Sequence, residues 1–189
     1  LYKEFMTDIV DEIDRENKII NDLLALVKLD KSSSHLNIES VDINKMIEAV
    51  FKRLKPLANE KNIELIFESA REVVAEVDEV KLSLAVMNLI ENGIKYNKGE
   101  EGFVSVTLDA DHQFFTVEVS DSGIGIPEEE QKHIFERFYR VDTARSRNSG
   151  GTGLGLAIVK HLVELHHGKI EVESEVGQGT MIRVKIPLE

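Results

Sequence analysis

The chain contains no cysteine, and only three prolines are found among its 189 residues. Without cysteine it can form no disulfide, no thiolate metal site and no cysteine nucleophile. No apolar run approaches the roughly 20 residues that a helix needs to cross a bilayer, and no signal-peptide pattern opens the chain. These absences exclude a disulfide-stapled fold and thiol chemistry.

Basic residues are also fewer than acidic ones. The chain has 23 Lys and Arg and 35 Asp and Glu, which gives a net charge of −12. A surface with this charge repels nucleic acid phosphates and anionic lipid, so no nucleic acid and no direct membrane contact are expected as partners. What is present is the composition of a folded protein, with 42% hydrophobic and 31% charged residues. A site for a polyanion must therefore be assembled locally from a few basic side chains.

Residues 1–30 predict one long amphipathic helix. A single helix cannot bury an apolar stripe alone, so this helix needs a partner. We interpret it as one helix of an intermolecular bundle; the alternative is a helix packed on its own domain. The polar run DKSSSHLN, residues 30–37, is the expected domain boundary. The stripe occupies a and d positions of a heptad that Glu16 interrupts, and consists of Met6, Ile9, Ile13, Ile20, Leu23 and Val27.

Beyond this boundary, helical and strand patterns alternate irregularly, which predicts an α+β fold, a two-layer α/β sandwich with one mixed sheet under a helical layer. Helices are expected over residues 43–57 with a bend near Pro56, after an N-cap at Asp78, and over residues 154–166. Strands are expected at residues 63–67, 73–77, 103–108, 114–119, 170–174 and 180–186.

The helix after Asp78 carries a polar face within the string NLIENGIKYN. Asn88, Asn92 and Lys95 are spaced i, i+4, i+7 and share this face. An asparagine oxygen suits Mg²⁺ that keeps its waters and binds substrate phosphates, and Lys95 can meet a phosphate as a point charge. The alternative is a solvated helix face, although asparagine is a poor choice for an exposed helix interior.

Two glycine-rich elements follow. In DSGIGIP, residues 121–127, the glycines let the backbone approach a planar ligand, and Asp121 can accept a hydrogen bond from an exocyclic amine such as that of adenine. A simple Asx-turn is the alternative. In GGTGLGLAIVK, residues 150–160, glycines lead into a helix N-terminus, where free amides and the helix dipole attract anions. This element matches neither a P-loop nor a dinucleotide-binding motif, and a glycine-rich hinge is its alternative.

Between the glycine elements lies the segment ERFYRVDTARSRNSGG, residues 136–151. Phe135, Phe138 and Tyr139 are expected to pack a short helix onto the domain. Residues 142–150, which lack apolar anchors, predict a mobile lid. Positive charge is concentrated here, as the acidic chain requires for a phosphate site, in Arg137, Arg140, Arg145 and Arg147.

Together these motifs resemble the sensor histidine kinases, whose ATP-binding domain belongs to a superfamily with gyrase, heat-shock chaperone and mismatch-repair ATPases. One such motif is weak support, whereas five in the family's order, with suitable spacings, are specific. The resemblance implies a Bergerat-type fold that holds ATP between a helix and a lid. The motifs are an N box at residues 88–96, a G1 box at 121–125, an F box at 135–138, a G2 box at 151–155 and a last glycine turn at 177–180.

The resemblance also implies roles for the matching residues. Asn92 would coordinate Mg²⁺ with support from Asn88, Lys95 and Tyr96 would contact phosphate and nucleotide, and Asp121 would bind the adenine amine. The other implied nucleotide-binding residues are Gly123, Gly125, Ile126, Gly151, Thr152, Gly153, Leu154, Gly155 and Thr180.

As a kinase, the protein would transfer the γ-phosphoryl group of Mg-ATP to a histidine, for onward transfer to an aspartate in the receiver domain of a response regulator. Positioning and electrostatics would supply the catalysis, from Asn88, Lys95, Arg137 and Arg140. An ATP hydrolase of the same superfamily is an alternative, disfavoured because those relatives place a glutamate where this chain has Asn88. A non-catalytic docking module is the other alternative.

The string IDRENKIINDLLALVKLD, residues 13–30, resembles the second helix of the family's dimerisation and histidine-phosphotransfer hairpin. The resemblance implies three parts: residues 1–30 belong to the hairpin, residues 31–40 form a linker, and residues 41–189 form the ATP-binding domain. It also implies that the chain is the cytosolic part of a membrane-anchored sensor, and that the intact sensor dimerises through the hairpin. The hairpin's first helix is not matched, and none of the six histidines fits the acceptor role. His166, near the end of the last helix, is interpreted as a cation that suits the helix dipole. We therefore expect nucleotide binding without self-phosphorylation.

Overall fold

Five helices and seven strands make up the part of the chain described by the structure, a computed structural model of residues 2–31, 35–98, 101–141 and 151–188. The helices are α1 (Tyr2–Lys31), α2 (Ile43–Glu60), α3 (Glu79–Lys95), α4 (Glu128–Gln131) and α5 (Gly155–Leu165). The strands are β1 (Glu39–Asp42), β2 (Ile63–Ser69), β3 (Val74–Val77), β4 (Gly102–Ala110), β5 (Phe114–Asp121), β6 (Lys169–Glu175) and β7 (Gly179–Pro187).

Five of the strands form a mixed sheet in the order β2-β4-β5-β7-β6. The β2–β4 pair is parallel and the other pairs are antiparallel. Alternate residues of each strand face the helices α2, α3 and α5 and form the core, whereas the opposite face carries charged side chains. On that solvated face Arg183 lies 3.3 Å from Glu118 and 3.3 Å from Glu173. The predicted α+β sandwich is confirmed.

The helix α3 starts where the sequence predicts, because Asp78 caps it. The Asp78 carboxylate accepts a hydrogen bond of 3.0 Å from the Lys81 N–H and forms an ion pair of 2.6 Å with the Lys81 ammonium group. The apolar face of α3 is buried, as Leu82 and Ile90 illustrate. The polar face of this helix is therefore held at a fixed angle to the sheet.

The strand β1 was not predicted, and it lies outside the single sheet that the sequence predicts. Residues Glu39–Asp42 lie partly within the predicted linker, yet they pair antiparallel with β3 to form a separate two-stranded sheet. Only one residue of β1 is buried, so its sequence has no alternation that would reveal a strand. The predicted strand at residues 73–77 therefore belongs to this small sheet and not to the main one.

The expectation that His166 acts as a helix-end cation is wrong. The ring is buried, its Nε2 accepts the Asp78 N–H at 3.1 Å, and its Nδ1 donates to the Leu162 carbonyl at 2.8 Å. Both bonds require the neutral ring, because a doubly protonated ring cannot accept. Burial lowers the pKa of His166, in agreement with that requirement. His166 thus joins the end of α5 to the start of α3.

The helix α1 leaves its described apolar stripe exposed. Met6, Ile9, Ile13, Ile20 and Leu23 retain from 36% to 52% of their accessible surface. The side chain of Val27 lies outside the described part of the chain, and membership of an intermolecular bundle stays a prediction, as does the division into hairpin, linker and ATP-binding domain. None of the described helices has the length and apolarity needed to cross a membrane.

Candidate functional site

One end of the candidate site is a row of polar side chains on the helix-facing side of three neighbouring strands. The register places Asp121 of β5 opposite Thr180 of β7, and Thr180 opposite Ser174 of β6. The preceding row on the same face is apolar and buried, as Val119 and Ile182 show. An open cleft of about 410 Å³ borders the three polar residues. We call Asp121, Thr180 and Ser174 the polar row.

The carboxylate of Asp121 accepts a hydrogen bond of 2.7 Å from the Gly123 N–H and another from the Thr180 N–H. Burial nevertheless raises the pKa of Asp121 to about 6. No basic side chain among the described residues pairs with it. A buried carboxylate in a cleft wall, ionised at neutral pH and lacking a cation, is a strong acceptor for an exocyclic amine.

The loop after β5 is bonded to the end of α3. The Ile124 N–H donates to the Tyr96 carbonyl at 3.1 Å, and a methyl group at Gly123 would lie 2.5 Å from the same oxygen. Only glycine fits at this close approach of two backbones. The sheet end and the polar helix face are therefore locked together.

The same loop is tied to β6. Gly125 has a φ of +71° and its backbone approaches β6 so closely that a Cβ would lie 2.0 Å from the Glu175 carbonyl. The Ile126 N–H donates to Ser174 Oγ at 2.8 Å. The Gln131 side chain donates to the carbonyls of Ile126 and Ser174 at 3.0 and 2.8 Å. The cleft beside the polar row therefore has a rigid rim.

The other end of the site is the polar face of α3, which lies against the second glycine element. Asn88 donates through Nδ2 to the Leu84 carbonyl at 2.9 Å, which leaves its Oδ1 free to face Gly155. A methyl group at Gly155 would lie 3.1 Å from that oxygen and 4.0 Å from Asn92 Nδ2. Among the residues the structure describes, none forms a hydrogen bond with the Asn92 side chain.

Three further groups converge next to these asparagines. A methyl group at Gly151 would lie 2.6 Å from Lys95 Nζ and 3.0 Å from the Tyr96 hydroxyl oxygen. Burial raises the pKa of Tyr96, and the positive charge of nearby Arg140 partly opposes this increase. Arg140 Nε and Nη2 are buried and have no hydrogen-bond partner within the described ranges. Because unpaired buried N–H groups are costly, this arrangement suits an anion.

The F box and the G2 box meet through their backbones. The Phe138 N–H donates to the Gly153 carbonyl at 2.9 Å. Gly153 has a φ of +72°, and a Cβ there would lie 2.8 Å from the Phe138 carbonyl carbon. The expectation that Phe138 packs onto the domain is wrong, since its side chain is 58% exposed. The predicted lid, residues 142–150 with Arg145 and Arg147, lies outside the described residues.

The long N-terminal helix reaches this part of the site. Thr152 Oγ1 donates to the Asp22 carboxylate of α1 at 2.7 Å and accepts the Leu154 N–H at 3.3 Å. Leu154 itself is fully buried and anchors the start of α5. A carboxylate therefore lies beside the turn that the sequence predicts to wrap phosphates.

A divalent cation bound here would find amide oxygens as its protein ligands. No group of three His, Asp or Glu side chains that could hold a metal occurs in the described part of the chain. Asn88 presents an oxygen to the site and Asn92 has its amide available, which fits a Mg²⁺ ion that keeps several waters and binds phosphate oxygens.

Two further residues of the candidate site, Gly93 and Ser174, are not among those predicted from the sequence. Gly93 lets α3 approach the sheet, because a Cβ there would lie 3.0 Å from the Val104 side chain and 3.3 Å from Asp121 Cβ; a glycine inside a helical pattern is the available signal. Ser174 completes the polar row, and its signal is a polar residue at an inward position of β6. Arg137 is exposed, and its catalytic role stays a prediction.

Comparison with known proteins gives consistent matches. Residues 77–189 match the family described as histidine kinase-, DNA gyrase B-, and HSP90-like ATPase. The chain is 39% identical over 191 residues to the sensor protein kinase WalK of Staphylococcus epidermidis, covering 100% of this chain and 31% of that protein. It therefore spans about a third of the length of this curated relative.

Solved structures are similar as well. Full-length ShkA in complex with AMPPNP superposes with a TM-score of 0.83 at 29% identity, covering 98% of this chain and 38% of that one. Histidine kinase ThkA in complex with the response regulator protein TrrA superposes with a TM-score of 0.78 at 25% identity, covering 100% of this chain and 52% of that one.

Proposed function

The chain belongs to the histidine kinase-, DNA gyrase B- and HSP90-like ATPase family, as an ATP-binding domain of the sensor histidine kinase type, and from this premise we propose that it transfers the γ-phosphoryl group of ATP to a histidine on a helical hairpin. The phosphoryl group then passes to an aspartate of a response regulator. The similarity to the ThkA–TrrA complex supports this partner.

The observation that carries the proposal is that two chemically different groups of side chains lie on either side of the contact between α3 and β5 at Gly93. At one end Asp121 offers a buried carboxylate acceptor with a pKa of about 6. At the other end Asn88 lies close to Gly155 and Lys95 lies close to Gly151. A nucleotide has the matching polarity, with an amine on its base and anionic oxygens on its phosphates. Since Gly93 brings α3 against Asp121, one ligand spans both ends.

The protein's own groups would act mainly by positioning and charge. Asp121 accepts a hydrogen bond from the adenine amine. The positive charges of Lys95 and Arg140 balance the negative charge that develops on the phosphate oxygens. The acceptor imidazole nitrogen attacks the γ-phosphorus in line, a nitrogen–phosphorus bond forms, and the bond to the β-phosphate oxygen breaks to release ADP. Mg²⁺, held by Asn92 with support from Asn88, would neutralise phosphate charge when bound.

We further propose that the intact protein is a homodimer formed through its helical hairpin, and that this chain is the cytosolic part of a membrane-anchored sensor. The exposed apolar stripe of α1 supports a helical partner. Hydrolysis is not favoured, because Asn88 has the position in which hydrolytic relatives would carry a glutamate, and an amide cannot deprotonate water.

Calorimetric titration of a non-hydrolysable ATP analogue, with and without Mg²⁺, tests the site. We expect saturable binding that Mg²⁺ tightens, and we expect Asn92→Ala to abolish the tightening while Asn59→Ala, an exposed position of α2, preserves it. No binding at millimolar ligand would refute the nucleotide site. An intact Mg²⁺ effect in Asn92→Ala would refute the metal assignment alone.

Phosphoryl transfer is tested separately with γ-labelled ATP and an added hairpin that carries the acceptor histidine. Acid-labile label on the hairpin supports the kinase, and Asn92→Ala should remove it. Release of labelled phosphate without labelling of the hairpin would point to a hydrolase instead.

A further inference from the structure

The hydroxyl of Ser174 lies at the centre of the polar row and has three neighbours. Its Oγ is 2.8 Å from the Ile126 nitrogen, 2.9 Å from the Gly179 carbonyl oxygen and 2.8 Å from Thr180 Oγ1. Ser174 is therefore bonded to the loop after β5, to the turn before β7 and to its cross-strand partner.

A count of protons determines the direction of each bond. A hydroxyl group has one proton and two lone pairs. The Ile126 N–H can only donate, so it uses one lone pair of Ser174. The Gly179 carbonyl can only accept, so it receives the single proton of Ser174. One lone pair remains for Thr180, and the Thr180 hydroxyl must therefore donate its proton to Ser174.

The orientation of the Thr180 hydroxyl determines what it offers a ligand. With its proton directed at Ser174, Thr180 Oγ1 keeps only lone pairs for the cleft, next to the Asp121 carboxylate of the neighbouring strand. Within the polar row, the cleft therefore meets two acceptors, because the Ser174 and Thr180 hydroxyls both direct their protons to other partners. A 6-aminopurine has two amine protons for them, whereas a 6-oxopurine carries a carbonyl oxygen at position 6 and one proton on N1, and would leave at least one acceptor unpaired.

We propose that Ser174 is a positioning residue for nucleobase selectivity, which holds the Thr180 hydroxyl as an acceptor so that the site prefers 6-aminopurine to 6-oxopurine nucleotides. This role rests on the proposed binding of ATP in the cleft. Ser174 acts through Thr180 and need not touch the nucleotide. Without Ser174 the threonine hydroxyl can rotate and donate to a carbonyl oxygen, which would make the site more permissive.

The test compares non-hydrolysable analogues of ATP and ITP, which differ only at positions 1 and 6 of the purine, by calorimetric titration. We expect Ser174→Ala to lower the ratio of the ITP Kd to the ATP Kd about tenfold, the effect of one reoriented hydrogen bond. Ser174→Thr keeps the hydroxyl and should restore the wild-type ratio. The double variant Ser174→Ala/Thr180→Val should lose the gain in ITP binding, because no hydroxyl is left to rotate.

Thr180→Val alone provides a second arm that does not depend on how well Ser174→Ala folds. It should weaken ATP binding and leave ITP binding unchanged; equal effects on the two nucleotides would overturn the proposal. Equal weakening of the binding of both nucleotides by Ser174→Ala would show that the serine is merely structural and would also overturn the proposal.

A wild-type protein that binds both analogues equally would refute the selectivity but not the ATP site. A wild-type protein that binds neither would refute the proposed function, and the role of Ser174 with it.

Discussion

Replacement of Asp121 by asparagine is expected to stabilise the unliganded protein at neutral pH, although it removes a residue of the proposed nucleotide site. Burial raises the pKa of this carboxyl from its ordinary value of 3.8 to about 6. A group whose pKa is higher in the folded state favours folding while it is protonated. Its contribution is therefore fully present below its unfolded pKa and is lost as the pH rises through about 6.

The size of the effect follows from the difference between the two pKa values. About 2 pKa units at about 1.4 kcal/mol per unit give a cost of about 3 kcal/mol at pH 7.5, where the folded carboxyl is ionised. At pH 5 the folded carboxyl is mostly protonated, and the same linkage leaves a cost of about 1.5 kcal/mol. Asparagine does not titrate, so the stability gap between variant and wild type should shrink by about 1.5 kcal/mol between these two pH values.

Urea unfolding followed by circular dichroism, without nucleotide, measures this gap at pH 7.5 and pH 5. The matched control is Glu64→Gln, which removes an exposed carboxylate of β2, a strand that contributes no residue to the candidate site. The reasoning about Asp121 would be refuted if its gap stayed constant or widened on acidification. A smaller gap at pH 5 would show that the ATP-site carboxylate is maintained at a cost to the fold.

Three other substitutions probe separate contacts. Asp22→Asn should tighten binding of the ATP analogue a few-fold in calorimetry, because it removes a negative charge beside Thr152; unchanged affinity would place Asp22 away from the phosphates. Burial lowers the pKa of His166 in the folded state, so the contribution of this residue to stability should fall as the pH drops below about 6.5; urea unfolding should show wild-type stability falling relative to that of His166→Gln, and a difference that stays constant with pH would contradict this. Gly153→Ala should cost more stability than Gly177→Ala, since both have positive φ and each loses about 1–2 kcal/mol to strain, but only Gly153 also meets a neighbouring backbone. Equal losses in thermal unfolding would argue against that contact.

Much of the fold could be predicted because its elements have clear local patterns. The apolar periodicity of α3 and its cap at Asp78 lie within a few neighbouring residues, and the structure confirms both. The strand β1 could not be predicted, because it has four residues, one buried side chain and a distant pairing partner. His166 was misjudged for a similar reason, since its neutral state depends on a hydrogen bond to a residue 88 positions earlier.

The motifs provide the residue types of the site but not the contacts between them. Asn92 and Asp121 can be named from local strings, and their assigned roles stay predictions. The polar row cannot be read from the sequence, because it exists only when three strands align in one register. Ser174 lies more than 50 positions from Asp121, so only folding brings them into one wall.

The hydrogen bond between Phe138 and Gly153 holds the two ends of the intervening segment close together. The entropy cost of closing such a loop grows only with the logarithm of its length, about 0.6 kcal/mol for each doubling. Residues inserted between these anchors would therefore leave the polar row and the asparagine face of α3 in place. Insertions at this point should therefore cost little stability, whatever their length.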